Sequence, residues 1–263
     1  MKKIIVFLES ICLLISLCAC GQKQRVGTDQ ATLIVGVDDS FVPMGFQSDS
    51  GRLTGFDIDL AKAVGKKIHR KMVFQTIDWS MKETELRNRT IDLIWNGYTK
   101  TPERAAKVYF SQPYLRNQQV VVVKQTDKIT QLSQLRDKNV GVQSSSTGYE
   151  DLMQQPHILK QFIRNQTPIQ YDNIQNGMMD LKAGRIQGFL IDRVFAEYYL
   201  KHDRSQDRFK ILVTPYHSES FAVGLRKDDY RLQKQINQAL QQLKKTGQLQ
   251  KLSYYWFGKD ISQ

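Results

Sequence analysis

Short runs rich in β-branched residues alternate with segments of helical periodicity along most of this chain. The first run, residues 33–37, is suited to a buried strand, and residues 56–68 place apolar side chains mainly at helical spacing. Strands that alternate with helices indicate βαβ units and a mostly parallel sheet. The same pattern predicts a strand at 72–77, a helix at 81–87, a strand at 91–95 and a turn or short helix at 103–108.

A second block repeats the alternation after residue 118. It predicts strands at 119–124, 139–142, 169–171, 188–191, 210–213 and 221–225, and helices at 147–152, 174–183 and 194–201. An amphipathic helix over 232–243 follows, and its periodicity continues past Gly247 to Trp256. Two such blocks with valine-rich connections predict two α/β lobes that share crossing strands. We expect residues 31–120 and 217–263 in one lobe and 121–216 in the other, with the hinge strands at its ends.

Composition excludes several classes of protein. A length of 263 residues suits one large or two ordinary domains, and a mean hydropathy of −0.45 excludes a multispanning membrane protein. The three cysteines, at positions 12, 18 and 20, exclude a disulfide scaffold and a cysteine-based metal site in the rest of the chain. The four histidines are scattered, and HExxH, GxSxG and phosphate-loop motifs are absent from the sequence. We therefore expect no metal, no cofactor and no hydrolytic or nucleotide chemistry.

The amino terminus has the pattern of an export signal. A basic start is followed by sixteen mostly apolar residues, which would span about 24 Å as a helix, less than the ~30 Å hydrocarbon core of a bilayer. The segment ends in Leu17-Cys18-Ala19-Cys20, which resembles the lipobox of bacterial lipoproteins. We expect a signal peptide at 1–19, a lipidated Cys20 and a flexible tether to residue 30. An uncleaved anchor is the alternative, and Glu9 within the apolar run keeps it open.

The chain is basic without a basic motif. Loss of residues 1–19 would leave 36 basic and 25 acidic residues, a net charge of +11. These charges are spread along the chain, with no arginine-rich run, so we expect no nucleic-acid partner. Attraction to an anionic membrane surface and a solvated surface with no partner remain open as explanations.

Several motifs resemble those of the polar amino acid-binding subunits of bacterial ABC importers, in the same order and over nearly the whole mature chain. They are VDDSFVP at 37–43, GFDIDL at 55–60, DLI at 92–94, GYTKTPER at 97–104, FSQPY at 110–114, VGVQ at 140–143, Asp192 after a strand, and WFG at 256–258. The resemblance implies a two-lobed periplasmic-binding-protein type II fold. It also implies lobe closure on a free amino acid.

An amino acid offers a carboxylate and an ammonium group, and the resemblance assigns residues to each. Arg104, assisted by Thr99 and backbone groups near Gly97, is expected to take the α-carboxylate, because a guanidinium grips a carboxylate bidentately. Asp192 is expected to accept the α-ammonium. From spacing alone, Arg104 also fits a surface pair with Glu103, and Asp192 fits an ordinary helix N-cap.

Ser146 and Thr147 lie at a strand-to-helix junction, where backbone N–H groups and hydroxyls can bind a carboxylate. A plain capping run is the alternative, and relatives usually carry glycine in place of Ser145. Two aromatic residues, Phe41 and Phe56, correspond to the pair that sandwiches the aliphatic part of the ligand, although aromatics in such runs are more often core.

Asp38 and Gln143 match positions that face the side chain or the polar groups of the ligand. The sequence thus predicts a lipid-anchored substrate-binding protein of an amino acid ABC importer. It would be a monomer on the extracellular face of the membrane of a Gram-positive-like cell, and it would deliver its ligand to permease subunits. A glutamine-like ligand is favoured, with histidine, arginine and cystine open. The alternatives are an enzyme of the same fold, similar to cyclohexadienyl dehydratase, and a tethered amino acid sensor or adhesin.

Overall fold

Two five-stranded sheets form the framework of the protein. The computed structural model describes residues 32–202 and 208–263, so Cys20 and the predicted signal and tether lie outside the described residues. In the first sheet the strand order is β5-β1-β6-β15-β7. Its strands are β1 (Thr32–Val37), β5 (Lys71–Thr76), β6 (Leu93–Ile94), β7 (Tyr109–Phe110) and β15 (Gly224–Leu225). Strand β1 runs parallel to β5 and β6, and β15 runs antiparallel to both β6 and β7.

The second sheet has the same mixed character. Its order is β11-β10-β12-β9-β13, with strands β9 (Gln119–Lys124), β10 (Val140–Gln143), β11 (Ile169–Tyr171), β12 (Gly188–Asp192) and β13 (Phe209–Val213). Strand β10 is parallel to β11 and β12, whereas β9 is antiparallel to β12 and β13. The predicted α/β class with two sheet-containing lobes is confirmed. We call the first sheet with its helices the first lobe, and the second sheet with its helices the second lobe.

Eight α-helices lie in the described residues: α1 (Phe56–Lys67), α2 (Lys82–Arg87), α3 (Pro102–Lys107), α4 (Thr147–Gln154), α5 (Ile174–Ala183), α6 (Arg193–His202), α7 (Tyr230–Lys245) and α8 (Gln248–Phe257). Local sequence explains several boundaries. The side chains of Thr101, Ser146 and Asn173 accept backbone N–H groups at the starts of α3, α4 and α5. Gly184, in the left-handed region, ends α5. No helix in these residues has the length and apolar character that a bilayer-spanning segment requires.

Two strands cross between the lobes. Strand β8 (Leu115–Asn117) leads from β7 of the first sheet into β9 of the second, and β14 (Glu219–Phe221) leads back from β13 to β15. They pair antiparallel, with Glu219 opposite Asn117. The predicted strand at 221–225 is therefore two strands, because its two ends belong to different sheets. A small three-stranded sheet, β2 (Ser40–Phe41), β3 (Gly45–Gln47) and β4 (Leu53–Thr54), was not predicted.

The valine run of β9 is buried on both faces. Val120 and Val122 belong to the largest apolar cluster, which also holds residues of α1, α6 and α7, while Val121 and Val123 belong to a separate cluster with Leu152 of α4. All four valines are fully buried. This double burial explains why the strand is continuously apolar rather than alternating.

Candidate functional site

A small cavity lies between the two lobes. Its lining comes from both lobes and consists of Asp38, Phe41, Trp79, Asn96, Gly97, Arg104, Gln143, Ser146, Thr147 and Asp192. Asp38 follows strand β1 and Asn96 follows β6 closely, while Gln143 and Asp192 are the last residues of β10 and β12. The cavity thus sits at the carboxyl ends of parallel strands, where open α/β sheets bind ligands.

Arg104 is buried and held in a fixed orientation. Its backbone N–H donates to the cap residue Thr101, and its guanidinium lies 4.9 Å from the centre of the Tyr98 ring. Nη1 donates to the Thr99 carbonyl at 3.2 Å, and Nη2 and Nε donate to Glu150 of the second lobe at 3.0 and 3.3 Å. These contacts orient a planar cation, and its Nε–Nη2 side already binds the carboxylate of Glu150 in this structure. The ion pair is with Glu150, not with the neighbouring Glu103 that spacing suggested as an alternative.

The carboxylate of Asp192 faces the cavity from the other lobe. Its Oδ1 accepts from Asn117 Nδ2 and from Gln119 Nε2, the latter at 3.0 Å. Other groups accept the backbone N–H groups at the start of α6. The N–H of Arg193 donates to the carbonyl of Gln118, and that of Val194 donates to Asn117 Oδ1. Both acceptors lie just before β9, so the Asp192 carboxylate is directed toward the cavity instead of the helix start.

Asp38 and Gln143 meet across the cleft. Gln143 Nε2 donates to Asp38 Oδ2 at 2.7 Å, while the other carboxylate oxygen accepts from both the backbone N–H and the hydroxyl of Ser40. Burial raises the pKa of Asp38, and the hydrogen bonds from Ser40 and Gln143 oppose that rise. Beside them, Asn96 Oδ1 accepts from the Asp38 backbone, and its Nδ2 is buried without a hydrogen-bond partner among the described residues. This end of the cavity is rich in amide and carboxylate groups.

Thr99 and the start of α4 complete the contact between the lobes. Thr147 Oγ1 donates to Thr99 Oγ1 at 3.0 Å, and Ser146 caps α4 through its hydroxyl, which accepts from Tyr149 N at 3.1 Å. Thr99 itself is not among the residues that line the cavity. Ser146 therefore has the capping role, and its neighbour Thr147 presents its hydroxyl between the lobes.

The aromatic residues differ from the predicted arrangement. Phe41 lines the cavity and stacks on Phe195 of the second lobe, with ring centres 6.2 Å apart. Phe56 does not line it: the ring begins α1 on the core side and packs on Tyr114 and Phe257. Trp79 contributes the second aromatic surface instead. Trp79 was missed in the sequence analysis. This residue follows β5 closely, and ligands of open α/β sheets bind at the carboxyl ends of the strands, so its position was a usable signal.

Residues 33–259 match the protein family described as bacterial extracellular solute-binding proteins, family 3. The chain belongs to this family. Its relatives include the L-cystine-binding protein TcyJ of Escherichia coli K12, 30% identical over 89% of this chain and 86% of that protein. The arginine-binding extracellular protein ArtP of Bacillus subtilis is 30% identical over 98% of both chains.

Solved structures agree with the sequence relatives. A histidine-bound ABC uptake transporter substrate-binding protein from Streptococcus pneumoniae superimposes with a TM-score of 0.87 at 44% identity, covering 89% of this chain and 95% of that one. The fold is therefore that of type II periplasmic-binding proteins. The chain is an amino acid-binding protein of the ABC-transporter type, and the relatives named here are binding proteins rather than enzymes.

The lobes of this solute-binding protein are closed on each other. Ser145, at the tip of the loop before α4, has a backbone φ of +56°, in the left-handed region that glycine favours. Its carbonyl accepts from Lys82 Nζ at 3.0 Å and from Arg104 Nη2 at 3.3 Å, both of the first lobe. Lys82 also donates to the carbonyl of Trp79, and burial lowers its pKa to about 8. Two cations of one lobe thus hold a single carbonyl of the other.

Proposed function

We propose that this protein captures a polar L-amino acid between its lobes and delivers it to the permease of an ABC importer. The observation that carries the proposal is the distribution of charge around the cavity. The carboxylate-binding group, Arg104, belongs to the first lobe, and the ammonium-binding group, Asp192, belongs to the second. An amino acid that contacts both stabilises the closed form over the open one, because the open form can satisfy only one of its charged groups.

Each part of the ligand has a partner. Arg104, with Thr147 and the amino end of α4, takes the α-carboxylate, and Asp192 takes the α-ammonium. Phe41 and Trp79 pack on the aliphatic part of the side chain. Gly97 allows Phe41 to approach closely, since a Cβ at this position would lie 2.4 Å from a carbon of the ring.

The far end of the cavity favours a side chain with an N–H donor. Gln143 places its own amide N–H on Asp38 at 2.7 Å, so this carboxylate already accepts the group that a glutamine side chain would offer. Asn96 adds an amide that has no hydrogen-bond partner among the described residues. We infer that glutamine or histidine is the ligand; the S. pneumoniae relative with bound histidine supports this class.

Calorimetric titration of the purified protein with the twenty L-amino acids and L-cystine tests the proposal. Binding of glutamine or histidine is expected, and Arg104→Ala should abolish it while the fold survives. The exposed Arg89, paired with Asp228 on the surface, gives a matched control in Arg89→Ala, which should bind normally. If none of the amino acids binds, the proposed function is wrong. Tightest binding of leucine or aspartate would overturn the assignment of the Asp38 end.

We further propose that Cys20 carries the lipid that holds the protein on the outer face of the membrane. Wild-type protein expressed in its host should sediment with membranes and incorporate labelled palmitate. Cys20→Ala should lose the label, whereas Cys12→Ala should retain it. Wild-type protein that sediments with membranes without incorporating the label would mean that the apolar segment is an uncleaved anchor.

A further inference from the structure

Two buried carboxyl groups share the same two amide groups where the crossing strands meet the cavity. Asn117 Nδ2 donates to Asp192 Oδ1 and to Glu219 Oε2, the latter at 2.7 Å. Gln119 Nε2 donates to Asp192 Oδ1 at 3.0 Å and to the two oxygens of Glu219 at 3.2 and 3.1 Å. We call Asp192 and Glu219 the carboxyl pair. The four side chains come from the ends of β8, β9, β12 and β14.

The surroundings of the carboxyl pair do not balance two negative charges. The shared donors are neutral amides, and Thr99 Oγ1 donates to Glu219 at 3.5 Å. Among the charged groups near the pair, Arg104 of α3 favours the ionised form of Asp192, and Asp151 of α4 disfavours that of Glu219. Burial raises the pKa of both members, and repulsion from Asp192 raises the pKa of Glu219 further.

The carboxyl pair lies between two spaces. Asp192 lines the ligand cavity, whereas Glu219 lines a second cleft, open to solvent, which has Thr147 in common with the cavity. That cleft also contains Lys100, Asp151 and His217. A proton on the pair therefore has a route to water through Glu219 that does not pass through the ligand cavity.

We propose that the carboxyl pair holds one proton in the empty site and releases it to solvent when the ammonium group of an amino acid binds. Before binding, one carboxylate and one carboxylic acid carry a charge of −1. Afterwards, two carboxylates and one ammonium carry the same total, and the proton has passed from the carboxyl O–H to water in the second cleft. Glu219 is thus a positioning residue that acts through Asp192. Because the two carboxyls share one proton, Asp192 becomes fully ionised only when the ammonium group of the ligand is bound. The inference rests on the proposed function, since it requires an amino acid ligand.

This exchange makes affinity depend on pH. The ligand competes with a proton for the same pair, so acid conditions weaken binding, and the affinity falls by up to about tenfold per pH unit below the titration range of the empty pair. When Glu219 is replaced by a neutral residue, the site no longer holds a proton that the ligand must displace. Glu219→Gln keeps the shape and an acceptor oxygen for Asn117 and Gln119, and it should bind with little dependence on pH.

Calorimetry in two buffers with different enthalpies of ionisation measures the proton directly. Titration of L-glutamine at about pH 6 should release close to one proton per ligand from wild type. Glu219→Gln should release almost none, and Asp127→Asn, an exposed control carboxylate, should match wild type. If L-histidine is the ligand, its imidazole can also exchange a proton on binding. Subtracting the number of protons released by Glu219→Gln from the wild-type number removes this contribution. Binding by wild type without proton release would overturn the inference and leave the proposed function intact.

The unliganded protein gives a test that needs no ligand. Asp192→Asn and Glu219→Gln identify the signals of the pair, because other buried carboxyls, Asp57 among them, also have raised pKa values. Carbon-13 NMR of the labelled side-chain carboxyls should show one carboxyl of the pair protonated at about pH 6, well above the ordinary range for Asp and Glu. If both carboxyls titrate in that ordinary range, the pair holds no proton and the inference is wrong, whether or not any amino acid binds.

Discussion

Gly97→Ala should damage both stability and ligand binding, for reasons that can be separated. Gly97 has a backbone φ of +58°, which costs a residue with a Cβ about 1 kcal/mol or more. The new Cβ would also lie 2.4 Å from Phe41 Cε1 and 3.2 Å from Phe221 Cε2. Overpacking of this kind costs about 1–3 kcal/mol, so the total destabilisation is about 2–4 kcal/mol. In a domain of this size the melting temperature should fall by roughly 5–15 °C.

The matched control is Gly51→Ala. Gly51 has a φ of +72°, but a Cβ there would meet no atom within 4 Å. This variant should therefore show only the backbone cost of about 1 kcal/mol and should bind ligand normally. Differential scanning fluorimetry and calorimetric titration of both variants isolate the effect of the clash. Because Phe41 must move and it lines the cavity, Gly97→Ala should lose roughly tenfold in affinity, the equivalent of about 1.4 kcal/mol. Equal melting temperatures for the two variants, or wild-type affinity in Gly97→Ala, would refute this reasoning.

Two further predictions concern single charged groups. Arg104→Lys keeps the charge but loses the fork, so calorimetry should show affinity reduced roughly 10- to 100-fold, and the melting temperature should fall because the carbonyls of Thr99 and Ser145 lose a donor; wild-type affinity would mean that a point charge suffices. Asp57 is fully buried and accepts from Gly97 N at 2.6 Å and from the Tyr114 hydroxyl at 2.9 Å, and burial raises its pKa to about 7. Since the folded state holds this proton more tightly than the unfolded state, stability falls as pH rises from about 4 to 7, by up to about 4 kcal/mol from this group. Thermal unfolding of Asp57→Asn should show a smaller fall over that range than wild type, and parallel profiles would contradict the assignment.

Periodicity was sufficient to predict the class of fold, because each strand and helix carries its own local pattern. The valine run of β9 predicted a buried strand, and the spacing of Ile236, Leu240 and Leu243 predicted α7, where all three are buried. Strand pairing is not local. The predicted strand at 221–225 is continuous in sequence, and only its partners, β8 on one side and β6 with β7 on the other, divide it into β14 and β15.

The candidate site shows the same division between local and non-local information. Eight of the ten predicted ligand-binding residues line one cavity, because the family motifs place polar side chains at the ends of strands. The direction of an aromatic ring depends on how its element packs. Phe56 points into the core from α1, whereas Trp79 reaches the cavity from a short turn after β5. The carboxyl pair was invisible in sequence, since it depends on the register of β8 and β14, which places Glu219 opposite Asn117, about a hundred positions earlier in the chain.

The return of the chain to the first sheet constrains the order in which the molecule can assemble. Strand β15 lies between β6 and β7, yet it is made more than a hundred residues after them. Until residues 224–225 are available, the two earlier strands lack their common neighbour and present unpaired edges. The lobe that begins the chain is thus the one completed last, and closing it requires contacts distant in sequence, which form slowly. A chain cut short after β13 would retain every strand of the second sheet while leaving the first unable to close.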